Sequence, residues 1–145
     1  MKIIVNTDGA SRGNPGIGSV GVVISNDKGE VIKKYGEYLG ERVTNNEAEY
    51  EAVIFSFRKM KLLFGKDKVK KLEIEFRSDS ELLVNQMNGR YKVTEKHLQE
   101  LFMTIWNLKT DFGKVEFSHV PREKNKEADA LANQALDNNL KKSLF

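Results

Sequence analysis

The chain has 145 residues, 39% hydrophobic and 31% charged, with a net charge of +3, a soluble globular composition that fits one domain over residues 1–145. No apolar run approaches the roughly 18 residues a membrane span requires, and the N-terminus reaches Asp8 too early for a signal peptide. Cysteine is absent and His97 and His119 are the only histidines, which excludes disulfides and cysteine nucleophiles, argues against a multi-histidine zinc site and suits a cytoplasmic home.

Residues 2–7 form an apolar, β-branched run stopped by Asp8-Gly9, which predicts a strand. Residues 19–25 (SVGVVIS) predict a second, Asn26-Asp27-Lys28-Gly29 a hairpin turn, and residues 30–39 a third strand. The period then changes. Over residues 45–64, Ala48, Ala52, Phe55 and Leu63 recur at helical spacing, with Thr44 and Glu47 in a capping-box pattern and Gly65 as the stop. Residues 71–76 predict a fourth strand, residues 80–87 and 94–110 two helices, and residues 115–120 a fifth strand that Pro121 breaks. A last helix is expected over residues 125–138, followed by a frayed tail, LKKSLF. A three-stranded meander followed by strands linked through helices gives an α/β fold. Its five-stranded mixed sheet combines the antiparallel meander with two parallel strands, and helices cover both faces.

Four acidic residues occupy unusual places. Asp8 and Asp79 each end an apolar strand, where ligands collect in mixed sheets; turn formation or helix capping explains either one alone. On a helical wheel Glu49 lies on the buried side, beside Ala52, Val53 and Ser56, whereas Glu47 and Glu51 fall outside the stripe. A core-facing glutamate needs a cation, either an internal Arg or Lys or a bound metal. Asp129 lies in the first turns of the last helix, where dipole complementarity alone would suit it. If the four converge, each pair repels by about 4 kcal/mol at 4 Å with an effective dielectric of 20. An all-oxygen set of this kind suits Mg²⁺ or Mn²⁺ and phosphoryl transfer. Residues 8–16 form a small, glycine-rich segment that a sugar–phosphate backbone could approach closely, and Lys59, Lys61, Lys66, Lys68, Lys70 and Lys71 form a basic stretch that also reads as a solvated helix end.

Four motifs run in order along almost the whole chain: TDGASRGNPG at residues 7–16, TNNEAEYEA at 44–52, SDSELLVNQMNG at 78–89 and HVPREKNKEADALA at 119–132. Together they resemble the type 1 ribonuclease H family, metal-dependent endonucleases that cleave the RNA strand of RNA–DNA hybrids. The resemblance implies a ribonuclease H-like fold, catalytic carboxylates at Asp8, Glu49, Asp79 and Asp129 holding two Mg²⁺ ions with Mn²⁺ as a possible substitute, and products with 3′-hydroxyl and 5′-phosphate ends. It places a proton-transfer or product-release role on His119. It places substrate contacts on the backbone of Gly9, Ala10 and Ser11 and on Asn14, Arg42, Thr44, Asn45, Asn46 and Asn125. Bland alternatives stand beside these: a surface histidine, a solvated arginine, and helix caps at Thr44 and Asn125. Many relatives carry a basic protrusion after the Asp79 helix. Here residues 88–93 alone separate the two helices, and Arg90, Lys92 and Lys96 lie where the protrusion would begin. No hybrid-binding domain is expected before Met1, and the expected form is a monomer without an obligate protein partner. Two rivals are a catalytically weak hybrid-binding module of the same fold and a sugar-kinase-like phosphotransferase. Four intact carboxylates oppose the first, and the lack of a nucleotide-binding half opposes the second.

Overall fold

A computed structural model describes residues 1–144. β1 (Lys2–Arg12), β2 (Gly16–Asn26) and β3 (Val31–Val43) form the expected antiparallel meander. α1 (Asn45–Phe64) and the short α2 (Lys66–Val69) lead to β4 (Glu73–Ser78), parallel to β1. α3 (Glu81–Met87) and α4 (Lys96–Lys109) lead to β5 (Lys114–His119), parallel to β4, and a 3-10 turn at Arg122–Lys124 precedes α5 (Lys126–Leu144). The sheet order is β3-β2-β1-β4-β5. This is the five-stranded mixed sheet that the meander and the helical crossovers imply.

The two faces of the sheet are read from alternation along β1. Ile3 and Val5 enter the main core with Val22 and Ile24 of β2, Ile74 and Phe76 of β4, and Val53, Phe57 and Met60 of α1. Phe57 meets Phe76 edge-on with ring centroids 4.9 Å apart, and Phe76 stacks on Phe117 at 5.1 Å. α4 packs outside α1 through Leu98 and Ile105. The opposite face of β1, β2 and β3 is covered by α5. Small residues allow that contact: a Cβ at Gly21 would collide with the carbonyl oxygen of Ala128, and Ser19 Oγ donates to the Ala132 carbonyl at 2.6 Å.

Several boundaries differ from expectation. β1 runs through Asp8 to Arg12, because Asp8-Gly9-Ala10-Ser11 pairs with Gly18 to Gly21 of β2. The expected glycine-rich loop is therefore mostly strand, and only its end turns. The buried arc of α1 is Ala48, Glu49, Tyr50, Ala52, Val53, Ile54, Ser56, Phe57 and Met60, while Leu63 is 39% exposed and Phe55 is half-buried. The arc is wider than one stripe because the sheet and α4 both press on this helix. α5 continues past residue 138 to Leu144, because no Gly or Pro stops it and Lys141 and Lys142 complement its C-terminal dipole. The frayed tail is thus overturned as far as Leu144, and its last residue, Phe145, lies outside the described residues.

Candidate active site

Each acidic residue is positioned by a specific local contact. Asp8 sits inside β1 opposite Gly21, so it is not a turn former. Gly9, the next residue, lies against the first turn of α1: a Cβ there would collide with the Ala48 carbonyl carbon and the Glu49 nitrogen. That close approach lets the Gly9 N–H donate to Glu49 Oε1, while Ser78 Oγ donates to Glu49 Oε2 at 3.3 Å. The start of α1 is fixed by the expected capping box, in which Thr44 Oγ1 accepts from the Glu47 N–H at 3.1 Å and Glu47 Oε1 accepts from the Thr44 N–H at 2.9 Å. Asp79 follows β4 directly, and Ser80, not Asp79, caps α3 by accepting from the Leu83 N–H. Asp129 lies in the first turn of α5, and Asn133 Nδ2 donates to its Oδ1 at 3.2 Å.

The structure brings three of the four carboxylates into one cluster. One oxygen from each of Asp8, Glu49 and Asp79 lies within 4.8 Å of the others. Asp8 and Glu49 are 7% and 8% exposed, and Asp79 and Asp129 are half-buried. Asp129 approaches Asp8 from the α5 side, outside the three-residue cluster. Burial pushes the Asp8 carboxyl above its ordinary range, and the charges of Glu49, Asp79 and Asp129 push it further. Burial also raises Glu49, against the lowering effect of the Gly9 N–H, and Asp79 adds to the rise. Among the described residues no lysine or arginine forms an ion pair with any of the four. The internal Arg or Lys that could have explained Glu49 is therefore missing.

A crowded, buried, oxygen-only donor set without a protein counter-charge fits a hard divalent cation. Asp8, Glu49 and Asp79 are the residues placed to hold one, with Asp129 beside Asp8.

The cluster opens into a cleft of about 500 Å³, lined by Asp8, Gly9, Ala10, Ser11, Asn45, Asp79, His119, Pro121, Arg122, Asp129 and Asn133. His119 is exposed at the end of β5 and lines this cleft. Asn14 is exposed in the β1–β2 turn, and its Oδ1 accepts from the Asn45 N–H at 2.9 Å, joining that turn to α1. Asn46 is half-buried one residue on. Ser11 turns its hydroxyl to the Val43 carbonyl at 2.5 Å. Arg42 is exposed and lies with Glu47, Glu51 and His97 around a separate, smaller groove, so it is not brought into the carboxylate cleft. Asn125 is 2% exposed. Its Nδ2 donates to the Thr7 carbonyl at 2.8 Å and its Oδ1 accepts from Asn6 Nδ2 at 3.1 Å, so its amide is already committed to β1.

Sequence reasoning missed Ser78, Asn133 and Asn6. Ser78 carries a usable signal, since alternation along β4 places it on the same face as Phe76. Asn133 lies four residues after Asp129, on the same helix face, which also could have marked it.

Comparison with known proteins supports the fold and the family. The profile of a family described as reverse transcriptase-like matches residues 6–135. A ribonuclease HI of Halobacterium salinarum is 41% identical over 130 residues, covering 90% of this chain and 62% of that protein. A bifunctional protein of Mycobacterium tuberculosis is 38% identical over 141 residues, covering 94% of this chain and 36% of that protein. This chain therefore spans less than two thirds of either relative. The crystal structure of LC11 RNase H1 in complex with an RNA/DNA hybrid superposes with a TM-score of 0.89 and 45% identity, over 95% of this chain and 99% of that one.

Proposed function

The chain belongs to the type 1 ribonuclease H family, and from that premise we propose that it is an endonuclease hydrolysing the RNA strand of RNA–DNA hybrids. One observation carries this reading: Asp8, Glu49 and Asp79 converge within 4.8 Å with no basic partner. The hybrid bound by LC11 RNase H1 supports the choice of substrate.

In this reading Asp8, Glu49, Asp79 and Asp129 hold two Mg²⁺ ions, for which Mn²⁺ can substitute. Such ions supply Lewis-acid stabilisation of charge on the phosphate and raise the acidity of the attacking water. The chain's own residues do the positioning. The Gly9 N–H and the Ser78 hydroxyl aim Glu49, and Asn133 aims Asp129. Water adds to phosphorus, the bond from phosphorus to the 3′-oxygen breaks, and a proton reaches that oxygen. This leaves 3′-hydroxyl and 5′-phosphate ends. His119 stands on the cleft rim where it can pass that proton or ease product release. The amides of Asn14, Asn45 and Asn46, with the backbone of Gly9, Ala10 and Ser11, face a minor groove in which the 2′-hydroxyl distinguishes RNA. Arg42 and Thr44 grip a phosphate of the DNA strand, while buried Asn125 fastens α5 to β1 rather than meeting substrate. Residues 1–145 act as a single catalytic domain, monomeric and cytoplasmic. The lack of cysteine fits that compartment, and among the described residues no helix is long and apolar enough to cross a membrane.

The test uses end-labelled hybrid, double-stranded RNA and double-stranded DNA, each with Mg²⁺, Mn²⁺ or chelator, and analyses the product ends. Cleavage of the hybrid's RNA strand with either metal and none in chelator is expected. Metal-independent cleavage, or hybrid left intact with both metals, would refute the reading.

A further inference from the structure

Side chains alternate along β1, so Ile4 and Asn6 leave the main core to Ile3 and Val5 and face the α5 side of the sheet. On that side a cavity of about 330 Å³ lies between the sheet, the β2–β3 hairpin turn and the start of α5. It shares no lining residue with the carboxylate cleft, and its volume is that of a small-molecule site. The strand register orders its walls. Asn6 pairs with Arg77 of β4 on one side and with Val23 of β2 on the other, while Ile4 pairs with Ser25 of β2, which pairs in turn with Val31 of β3. Because β1 lies between β4 and β2, Arg77 and Ser25 stand two strand spacings apart, roughly 10 Å.

The two sides of the cavity differ in chemistry. Arg77 stands on the β4 side, and Lys124 enters next to Asn125, whose Oδ1 accepts from Asn6 Nδ2. Arg77 uses only its Nε, on Glu75 at 2.8 Å, so that its two terminal nitrogens make no hydrogen bond among the described residues. Lys124 is exposed and has no ion-pair partner among them. The hairpin side instead presents acceptors. Asp27 is exposed, and Ser25 is 9% exposed with a hydroxyl that no described residue hydrogen-bonds. A polar group this buried is costly unless something enters the cavity to meet it. The remaining acid, Glu127, is matched by Lys34 at 2.6 Å. Between the two sides Ile4, Val23 and Val31 supply apolar surface.

A complementary ligand carries a phosphate at one end, a flat apolar body in the middle and hydrogen-bond donors at the other end. Unpaired guanidinium and ammonium groups are the usual partners of a phosphate. A nucleoside 5′-monophosphate has all three parts. We propose that this cavity is a binding site for a nucleoside 5′-monophosphate, separate from the carboxylate cleft. Its phosphate meets Arg77 and Lys124, its base lies on Ile4, Val23 and Val31, and an exocyclic amine of the base donates to Asp27 and Ser25.

Calorimetric titration of the full chain tests this with four probes: AMP, ribose 5-phosphate, inorganic phosphate and adenosine. Chelator is present throughout, so that no metal can bridge a phosphate to the acidic cleft. Wild type should bind AMP more tightly than any of the other three. Arg77→Gln with Lys124→Gln should weaken AMP about tenfold or more, as the loss of charge-assisted hydrogen bonds requires, and should leave adenosine unchanged. Asp27→Ala should weaken AMP without affecting ribose 5-phosphate. Lys66→Gln with Lys68→Gln removes the same charge at the far end of α1 and should change neither. In ¹H–¹⁵N spectra AMP should shift the amides of Asn6, Ser25 and Gly29 rather than those of Gly9 and Ser11. If loss of the Glu75 pair unfolds the double variant, Lys124→Gln alone, at an exposed residue, decides. No measurable AMP binding would overturn the proposal. So would inorganic phosphate or adenosine binding as tightly as AMP, a loss matched by the lysine control, or shifts centred on Gly9 and Ser11.

Discussion

Asp8 illustrates how a functional residue burdens its own fold. Its carboxyl is raised by burial and by three neighbouring acids, so the folded state holds a proton that the unfolded chain releases. Without cations, stability from this group is fully present below the ordinary carboxylate range and is lost as pH rises through the raised folded value. Asp8→Asn should therefore melt higher than wild type in chelator near neutral pH. The gain should be roughly 2–4 °C per kcal/mol of repulsion relieved, shrinking towards pH 4 and narrowing when Mg²⁺ is added. Thermal scans at two pH values check both trends, and a variant that melts lower at neutral pH in chelator would show that the cluster is not crowded. The neighbouring glutamates make a paired test of position. Glu49→Gln should abolish turnover, whereas Glu47→Gln keeps an amide oxygen for the capping box and should remain near wild type in kcat; the reverse order would mean that the wrong face of α1 was assigned to the metal. His119→Ala should lower kcat by about 10²–10⁴-fold, the usual worth of general acid–base help, and an unaltered pH–rate profile would make it a bystander. At this scale Glu49 was legible because a carboxylate on a buried helix face is itself anomalous. Ser78 and the fastening role of Asn125 were less so, because their partners are 29 and 118 residues away, and a hydrogen bond across the fold leaves little local pattern; Asn133, four residues after Asp129 on the same helix, was within reach of the helical spacing.

At the scale of elements, two glycines set the distances between layers. Gly9 brings α1 onto β1, and Gly21 brings α5 onto β2. Gly21→Ala would force its Cβ into the Ala128 carbonyl and push back the turn that carries Asp129. Overpacking of this kind costs about 1–3 kcal/mol. The variant should show a lowered denaturation midpoint together with a weakened response to Mg²⁺, whereas an unchanged midpoint and full activity would mean that α5 shifts freely. The elements themselves were largely readable. The Thr44–Glu47 box and Gly65 bounded α1 at the observed residues. β1 was read too short because Gly9, Ala10 and Ser11 look like loop; only their pairing with β2 makes them strand. α5 was read too short because its polar last turns carry little hydrophobic period, although nothing in them breaks a helix.

For the molecule as a whole, the sheet order follows from connection rules: hairpins build the antiparallel half, and helical crossovers place β4 and β5 parallel beside β1. That order gathers the ends of β1, β4 and β5 with the starts of α1 and α5 at one end of the sheet, which is why residues scattered from 8 to 129 can share one site. The basic stretch from Lys59 to Lys71 lies around the far end of α1, away from that cluster, which makes it the solvated helix end rather than part of the cleft. The central claim is that the clustered carboxylates hold the cations that make this fold a hybrid-cleaving enzyme. Single-turnover cleavage of an RNA–DNA hybrid labelled in the RNA strand tests it most directly, with wild type and Asp8→Asn at saturating Mg²⁺ and matched hybrid occupancy. The account predicts 3′-hydroxyl and 5′-phosphate fragments from wild type and none above background from a variant that still binds hybrid. Comparable cleavage by the two proteins would contradict it.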